Sequence, residues 1–180
     1  MLGIFLAPAN FKSMLFIGFD NGVTNQGIGV ISSSREAQLL KLPIKKELSY
    51  TKEAKHISRI DFPELCAVLE TLKNNFSNDV FLVGLERPMV NSTRFNASLS
   101  AVRALEATLI ALEKYQLPYE YIDSKEWQKT LLPKNIKGSD ELKRASLDVG
   151  KRLFPNLEIK KDADGLLIAE YLRRREMNQL

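Results

Sequence analysis

Apolar and polar residues follow two different periods along this chain, and the period changes in a readable order. Residues 14–20 are apolar almost throughout and run into Asn21-Gly22, which predicts a strand closing in a turn. Residues 27–33 (GIGVISS) predict its hairpin partner, and 37–42 a third strand. The polar, Lys-rich stretch 43–58 predicts an exposed loop. From 61 to 76 the spacing becomes helical, with Leu65, Leu69, Leu72 and Phe76 on one side. Residues 80–86 (VFLVGLE) are apolar on both faces, as a buried central strand requires. A long helix is predicted over 96–115, with Val102, Leu105, Leu109 and Leu112 as its apolar stripe. A short strand at 118–122 and helices at 124–131, 139–154 and 163–176 complete the series. Ser139, with Asp140 and Glu141 behind it, gives the 139–154 helix a polar, acidic start.

A hairpin, a third strand and then alternating helices and strands imply an α/β protein with a mixed five-stranded sheet and helices on both faces. The 180 residues suit one core. Met14 opens the first convincing strand. Residues 1–13 therefore read as an N-terminal extension and 14–180 as a single domain. The start, MLGIFLAPANFKS, has no basic region ahead of its apolar stretch and does not read as a signal peptide. No apolar run is long enough to span a bilayer, so no membrane association is expected.

Composition changes this picture in two ways. The only cysteine, Cys66, falls on the apolar face of the 61–76 helix and reads as a buried structural thiol. One cysteine excludes an intramolecular disulfide and a thiolate zinc cluster, and it fits a reducing, intracellular (cytoplasmic) setting. The net charge is +4 and the pI about 9.1. Residues 1–86 carry nine basic and nine acidic side chains, whereas 87–180 carry seventeen and thirteen. A basic C-terminal half suits a polyanionic partner such as nucleic acid, and equally a solvated lysine-rich surface.

Three acids stand where charge needs an explanation. Asp20 ends the first strand on the face of Phe16 and Gly18, although Asp before Asn-Gly also suits a plain turn. Glu86 ends the central strand on the face of Leu82 and Gly84, where a charge is costly unless paired or bound to metal. Each has a glycine two residues before it, a missing side chain expected to leave space beside the carboxylate. Asp164 opens the last helix and shares the side of Leu167, Ile168 and Tyr171, which turns it toward the core. Asp162 precedes it at the expected N-cap and reads either as a cap or as a fourth ligand. Acids reaching one place from two strand ends and a helix start make a hard-oxygen site suited to Mg²⁺ or Mn²⁺. Two such ions could serve in-line phosphodiester hydrolysis. His56, the only histidine, lies in the Lys-rich stretch and reads as a surface residue.

These residues carry a family resemblance. FIGFDNGVTNQGIGVI resembles the first hairpin of RuvC-type Holliday junction resolvases, with Asn21 where the family has Pro. VGLERPMVNS resembles their second motif, YIDSKEWQKTLLP the segment after the fifth strand, and RLFP with KKDADGLLIAEYLRR the C-terminal acidic motif. The style is most similar to phage and organellar members, which leaves a phage-encoded origin open. The resemblance spans residues 14–176. It implies an RNase H-like fold, a homodimer, dependence on Mg²⁺ with Mn²⁺ as a substitute, two ions per site, and paired nicking of four-way DNA junctions. It carries over to Asp20, Glu86 and Asp164 as catalytic metal ligands. Lys161 stands where many members have the fourth ligand, and Asp162 matches the family's KKD with a shortened spacer.

A junction nuclease must also grip phosphates near its acids. The candidates are Arg87, Arg94, Lys125, Lys129, Lys134, Lys137, Lys160 and Lys161. Phe95 could wedge into an opened base step or pack beneath the long helix. Trp127 reads as core. The stripe of the 96–115 helix suits a core, a dimer seam, or both. Rival readings are an RNA–DNA hybrid nuclease or broader branched-DNA nuclease on the same fold, and a non-catalytic DNA-binding module. Acids at all three stations argue against the module, because binding alone disfavours negative charge beside phosphate. DNGVTNQG also echoes the phosphate loop of actin-like and sugar-kinase domains, but the second lobe and adenosine motif those need are not found in 180 residues.

Overall fold

Phe16, Ile17 and Phe19 are all but inaccessible to solvent, which forces the strand that carries them into the middle of a sheet. In the computed structural model, which describes residues 13–20, 22, 23, 27–50, 52 and 55–180, the elements run β1 (Met14–Phe19), β2 (Gly27–Ser32), β3 (Ala37–Lys41), β4 (Ile44–Leu48), β5 (His56–Ile60), α1 (Phe62–Asn75), β6 (Val80–Glu86), a 3₁₀ turn (Ser92–Arg94), α2 (Phe95–Lys114), β7 (Tyr119–Ile122), α3 (Ser124–Leu131), α4 (Ser139–Leu153) and α5 (Asp164–Glu176). The expected five-stranded mixed sheet forms in the order β3-β2-β1-β6-β7. β1 pairs antiparallel with β2 and parallel with β6, Phe19 standing opposite Ile28 on one side and Leu85 on the other. The C-terminal ends of β1, β3 and β6 and the start of β2 therefore meet along one edge of the sheet.

Helices cover both faces. Leu15, Ile17, Phe19, Val83 and Leu85 meet α1 and α2 in one half of the core. Phe16 on the other face meets α5, with α3 and α4 packed outside it. Cys66 is free and buried, as the apolar face of α1 requires. The turn residue Asn21 and residues 1–12 of the expected extension lie outside the described residues.

Three expectations need correction. Residues 43–58 do not form a loop throughout: β4 and β5 pair as a separate two-stranded sheet. Glu47 bridges Lys45 at 2.7 Å and Arg59 across the ladder at 2.9 Å, so the charges that suggested a loop stabilise the hairpin. Ile44 and Ile60 anchor it to the core. The buried side of α2 is Ala104, Thr108, Ala111 and Leu112; Leu105 and Leu109 are half-buried, and Val102 is 43% exposed. Small residues, which an apolar pattern underweights, let α2 lie close to its neighbours. The stretch Ser92–Lys114 is also, as a whole, long and apolar enough to cross a membrane, contrary to the expectation for this chain. One side of it packs against α1 and β5.

Glycines set how closely α5 approaches the sheet. A Cβ on Gly18 would sit 2.6 Å from the Ala169 nitrogen and collide with the Gly165 carbonyl, and one on Gly29 would collide with Leu166. A Cβ on Gly165 would in turn meet the carbonyls of Gly27 and Gly18. Backbone therefore lies on backbone, and every residue from Gly165 to Arg173 is buried. Gly29→Ala should cost about 1–3 kcal/mol by overpacking, read as a lower midpoint in a denaturant titration. An unchanged midpoint would show that α5 does not lie this close.

Candidate active site

The edge where β1 and β6 end is also where α5 begins. β1 delivers Asp20 one residue past its last paired position, and β6 delivers Glu86 as its last residue. The close contact through Gly18, Gly29 and Gly165 places the first turn of α5 over these strand ends. As a result Asp20, Asp162 and Asp164 each bring a carboxylate oxygen within 4.8 Å of the others. All three are half-buried. Glu86 joins them through a side-chain hydrogen bond with Asp20 and by repulsion from Asp164 and Asp162. The four acids singled out in the sequence thus come together.

The glycines preceding the acids act differently from the expectation. They do not leave room beside the carboxylates. Gly18 is filled by the backbone of α5, and a Cβ at Gly84 would press on Ile122 and Leu172 at 2.7 and 2.8 Å. Their missing side chains admit the helix that carries Asp164. Asp162 makes a cap-like bond and also lies in the cluster. Its Oδ1 accepts the Asp164 N–H at 2.9 Å, an Asx-type turn ahead of the helix, while its carboxylate stays in the cluster. The N-cap position itself is Ala163.

Three further side chains act on the acids, and none was singled out from the sequence as a site residue, although Trp127 was rightly read as core. Trp127 on α3 is 1% exposed, and its indole Nε1–H donates to Glu86 Oε1 at 3.2 Å. The usable signal was that a buried indole N–H needs an acceptor. Ser146, a polar residue on the buried side of α4, donates its hydroxyl to Asp164 Oδ1 in a short hydrogen bond. Lys143, one turn earlier, favours the ionised forms of Asp162 and Asp164.

Burial dominates the electrostatics. It pushes the Glu86 carboxyl up to about 7, against the Trp127 hydrogen bond and with help from Asp164. Burial also pushes Asp164 up to about 7, with Asp162 adding repulsion and Ser146 opposing. Asp162 is raised mainly by burial, which outweighs its bonds from backbone N–H groups. Oxygen donors alone, close together and costly to ionise without a counter-charge, fit a hard divalent cation such as Mg²⁺ or Mn²⁺. Asp20, Asp162, Asp164 and Glu86 are the residues that would hold it.

The basic candidates lie at the surface. Arg87 is exposed but committed: it pairs with Asp123 at 3.1 Å and lies over the Tyr121 ring. Lys160 pairs with Glu158 at 3.1 Å. Arg94, Lys125, Lys129, Lys134, Lys137 and Lys161 are exposed. Phe95, the first residue of α2, is 67% exposed, so it does not pack beneath the helix, and Met89 and Val90 are exposed in the loop after Glu86. His56 is an exposed residue at the start of β5.

No protein-family model matches the chain, and no curated protein matches it significantly. Solved structures do. Thermus thermophilus RuvC, solved in complex with Holliday junction substrate, aligns with a TM-score of 0.59 and 16% identity over 92% of this chain and 97% of that one. A second T. thermophilus RuvC structure gives 0.57 and 16%, over 92% and 98%. The yeast mitochondrial Holliday junction resolvase gives 0.41, too low to argue from. At this identity the likeness is one of fold, and the RNase H-like architecture expected from the sequence is the one found.

The buried carboxyls give the metal-free protein a pH signature. Between the ordinary carboxylate range and about 7, the folded chain holds protons that the unfolded chain has released. Their contribution to stability is complete below that range and is lost as pH rises through 7. A divalent ion needs the ionised forms, so its affinity moves the other way. In EDTA the melting temperature should fall from pH 5 to 8, and less so in Glu86→Gln. Mn²⁺ should raise it far more at pH 8 than at pH 5.5. A metal-free melting temperature that climbs across this range would contradict the assignment.

Proposed function

We propose that the chain is a metal-dependent endonuclease that resolves four-way (Holliday) DNA junctions by paired, symmetric nicks. The observation that carries this is the convergence of Asp20, Asp162 and Asp164 at 4.8 Å or less, with Glu86 bonded to Asp20, at one edge of a fold shared with a protein solved on Holliday junction substrate. Fold alone does not choose a substrate, so the reading rests on the acids and their surroundings.

In this reading the four carboxylates bind Mg²⁺, or Mn²⁺ in its place, two ions per site. Bound there, the cations supply water activation and charge neutralisation at phosphorus. Hydrolysis forms one P–O bond from water and breaks the bond to the leaving oxygen, which takes up a proton. The chain's own part is to hold the acids rigidly. Trp127 fixes Glu86, Ser146 fixes Asp164, and the Asp162 turn fixes the start of α5. Lys143 lowers the cost of ionising the two aspartates. Arg87, Arg94, Lys125, Lys129, Lys134, Lys137, Lys160 and Lys161 are the proposed phosphate contacts. Phe95 is exposed at the head of α2, beyond the loop that follows Glu86, which supports a role in stacking at an opened base step.

Paired nicks need two active sites, so the proposal includes a homodimer. The outward side of α2 suits the seam, because Val102 and Ile110 are 43% and 48% exposed there.

The test compares a labelled four-way junction, a linear duplex and an RNA–DNA hybrid, each with and without Mg²⁺. Symmetric cutting confined to the junction and lost in Glu86→Gln is the expected result. Phe95→Ala should slow junction cutting by about tenfold or more, the value of one lost base stack, while leaving the melting temperature unchanged. Equal cutting of all three substrates, or no cutting with Mg²⁺, would overturn the reading. Preference for the hybrid would move it to an RNA–DNA hybrid nuclease.

A further inference from the structure

We infer that a groove between the β4–β5 hairpin and the segment before α5 holds the phosphate backbone of one DNA strand and leads it to the carboxylates. This rests on the nuclease reading above and adds a surface to it. The groove has a volume of about 740 Å³. Asp162 lines it, so it opens directly onto the acidic cluster. Lys41 at the end of β3 and Lys46 on β4 stand on one side, and Lys160 and Lys161 on the other.

The topology explains why these lysines meet. β1 and β3 end, and β2 begins, at the same edge of the sheet. Asp20 follows the end of β1, and Lys41 is the end of β3. Pro43 turns the chain into β4, whose Lys46 pairs in register with Ser58. Both line the groove, whereas Lys45 and Arg59 are taken up by Glu47. The hairpin thus sorts its charges. Its paired cations lie away from the groove, and the exposed Lys46 lies along it.

Charge decides what the groove takes. Four lysines face two acids on its walls, and one of those acids, Asp162, belongs to the cluster. Glu158 is already bridged to Lys160. The surplus is positive and lies on the Lys41–Lys46 side, since Glu158 and Asp162 balance Lys160 and Lys161 on the other, in a channel that ends at a site proposed to cut phosphodiesters. The lining includes Leu40 and Ile44, apolar surface against which deoxyribose can lie while lysines meet the phosphates. A phosphodiester strand matches the lysines, the apolar lining and the destination together. An acidic peptide would match the lysines alone.

The test measures binding of a fluorescein-labelled four-way junction by anisotropy in EDTA, where no strand is cut, across a series of salt concentrations. The wild-type chain is compared with Lys41→Gln/Lys46→Gln. A control, Lys73→Gln/Lys114→Gln, removes equal charge at the ends of α1 and α2, near the opposite edge of the sheet. The groove variant should bind at least about tenfold more weakly, and its slope of log affinity against log salt should be shallower by about two, one per lost phosphate contact. The control should bind as the wild type does, and the groove variant should keep the wild-type melting temperature. Equal binding by groove variant and wild type, or an equal loss in the control, would overturn the inference while leaving the nuclease reading standing. A wild-type chain that binds no junction at all would overturn both.

Discussion

The contact on which the rest of this structure depends is backbone against backbone: the first turn of α5 lying on β1 and β2 where Gly18, Gly29 and Gly165 leave no side chains between them. Interiors are packed too densely to absorb an added methyl at such a contact. The helix start must therefore sit directly over the strand ends. Asp164 is the first residue of that helix, and Asp20 follows the strand beneath it. The separation of the acids is set by the depth at which a buried helix seats on a sheet.

That placement is costly for the carboxylates, and the surroundings offset the cost only in part. Trp127 and Ser146 give Glu86 and Asp164 one neutral hydrogen-bond donor each. Lys143 adds positive charge near the two aspartates, yet burial and mutual repulsion still win, and both Glu86 and Asp164 rise to about 7. A fold stabilised for its own sake would replace such a group with apolar residues. Four acids in one half-buried place suit a divalent cation, whose charge would be the missing counterweight.

Much of this was legible in the sequence, for reasons that can be traced to particular residues. The strands and most helices were readable because their periods are long and unbroken; 124–131 matches α3 to the residue. Glu86 stood out because nothing local accounts for a charge at the end of VFLVGLE. The β4–β5 hairpin was hidden because its strands are held by Glu47 bridging Lys45 and Arg59, a composition that also suits a loop. The phase of α2 was misjudged because Ala104, Thr108 and Ala111 are small, and size, which decides how closely a helix packs, is invisible to an apolar pattern. Gly18 and Gly84 were noticed but misread, because the helix that fills the space comes from about 80 to 150 residues further along the chain. The bonds of Trp127 and Ser146 to the acids were missed for the same reason: their partners are 41 and 18 residues away in sequence.

The central claim is that this helix-on-sheet contact builds a divalent-cation site from Asp20, Asp162, Asp164 and Glu86. Anomalous diffraction from crystals soaked in Mn²⁺ measures it most directly. Manganese density enclosed by those four carboxylates is the expected result. Manganese bound elsewhere in the crystal, with the cluster empty and its carboxyls still hydrogen-bonded to one another, would contradict it.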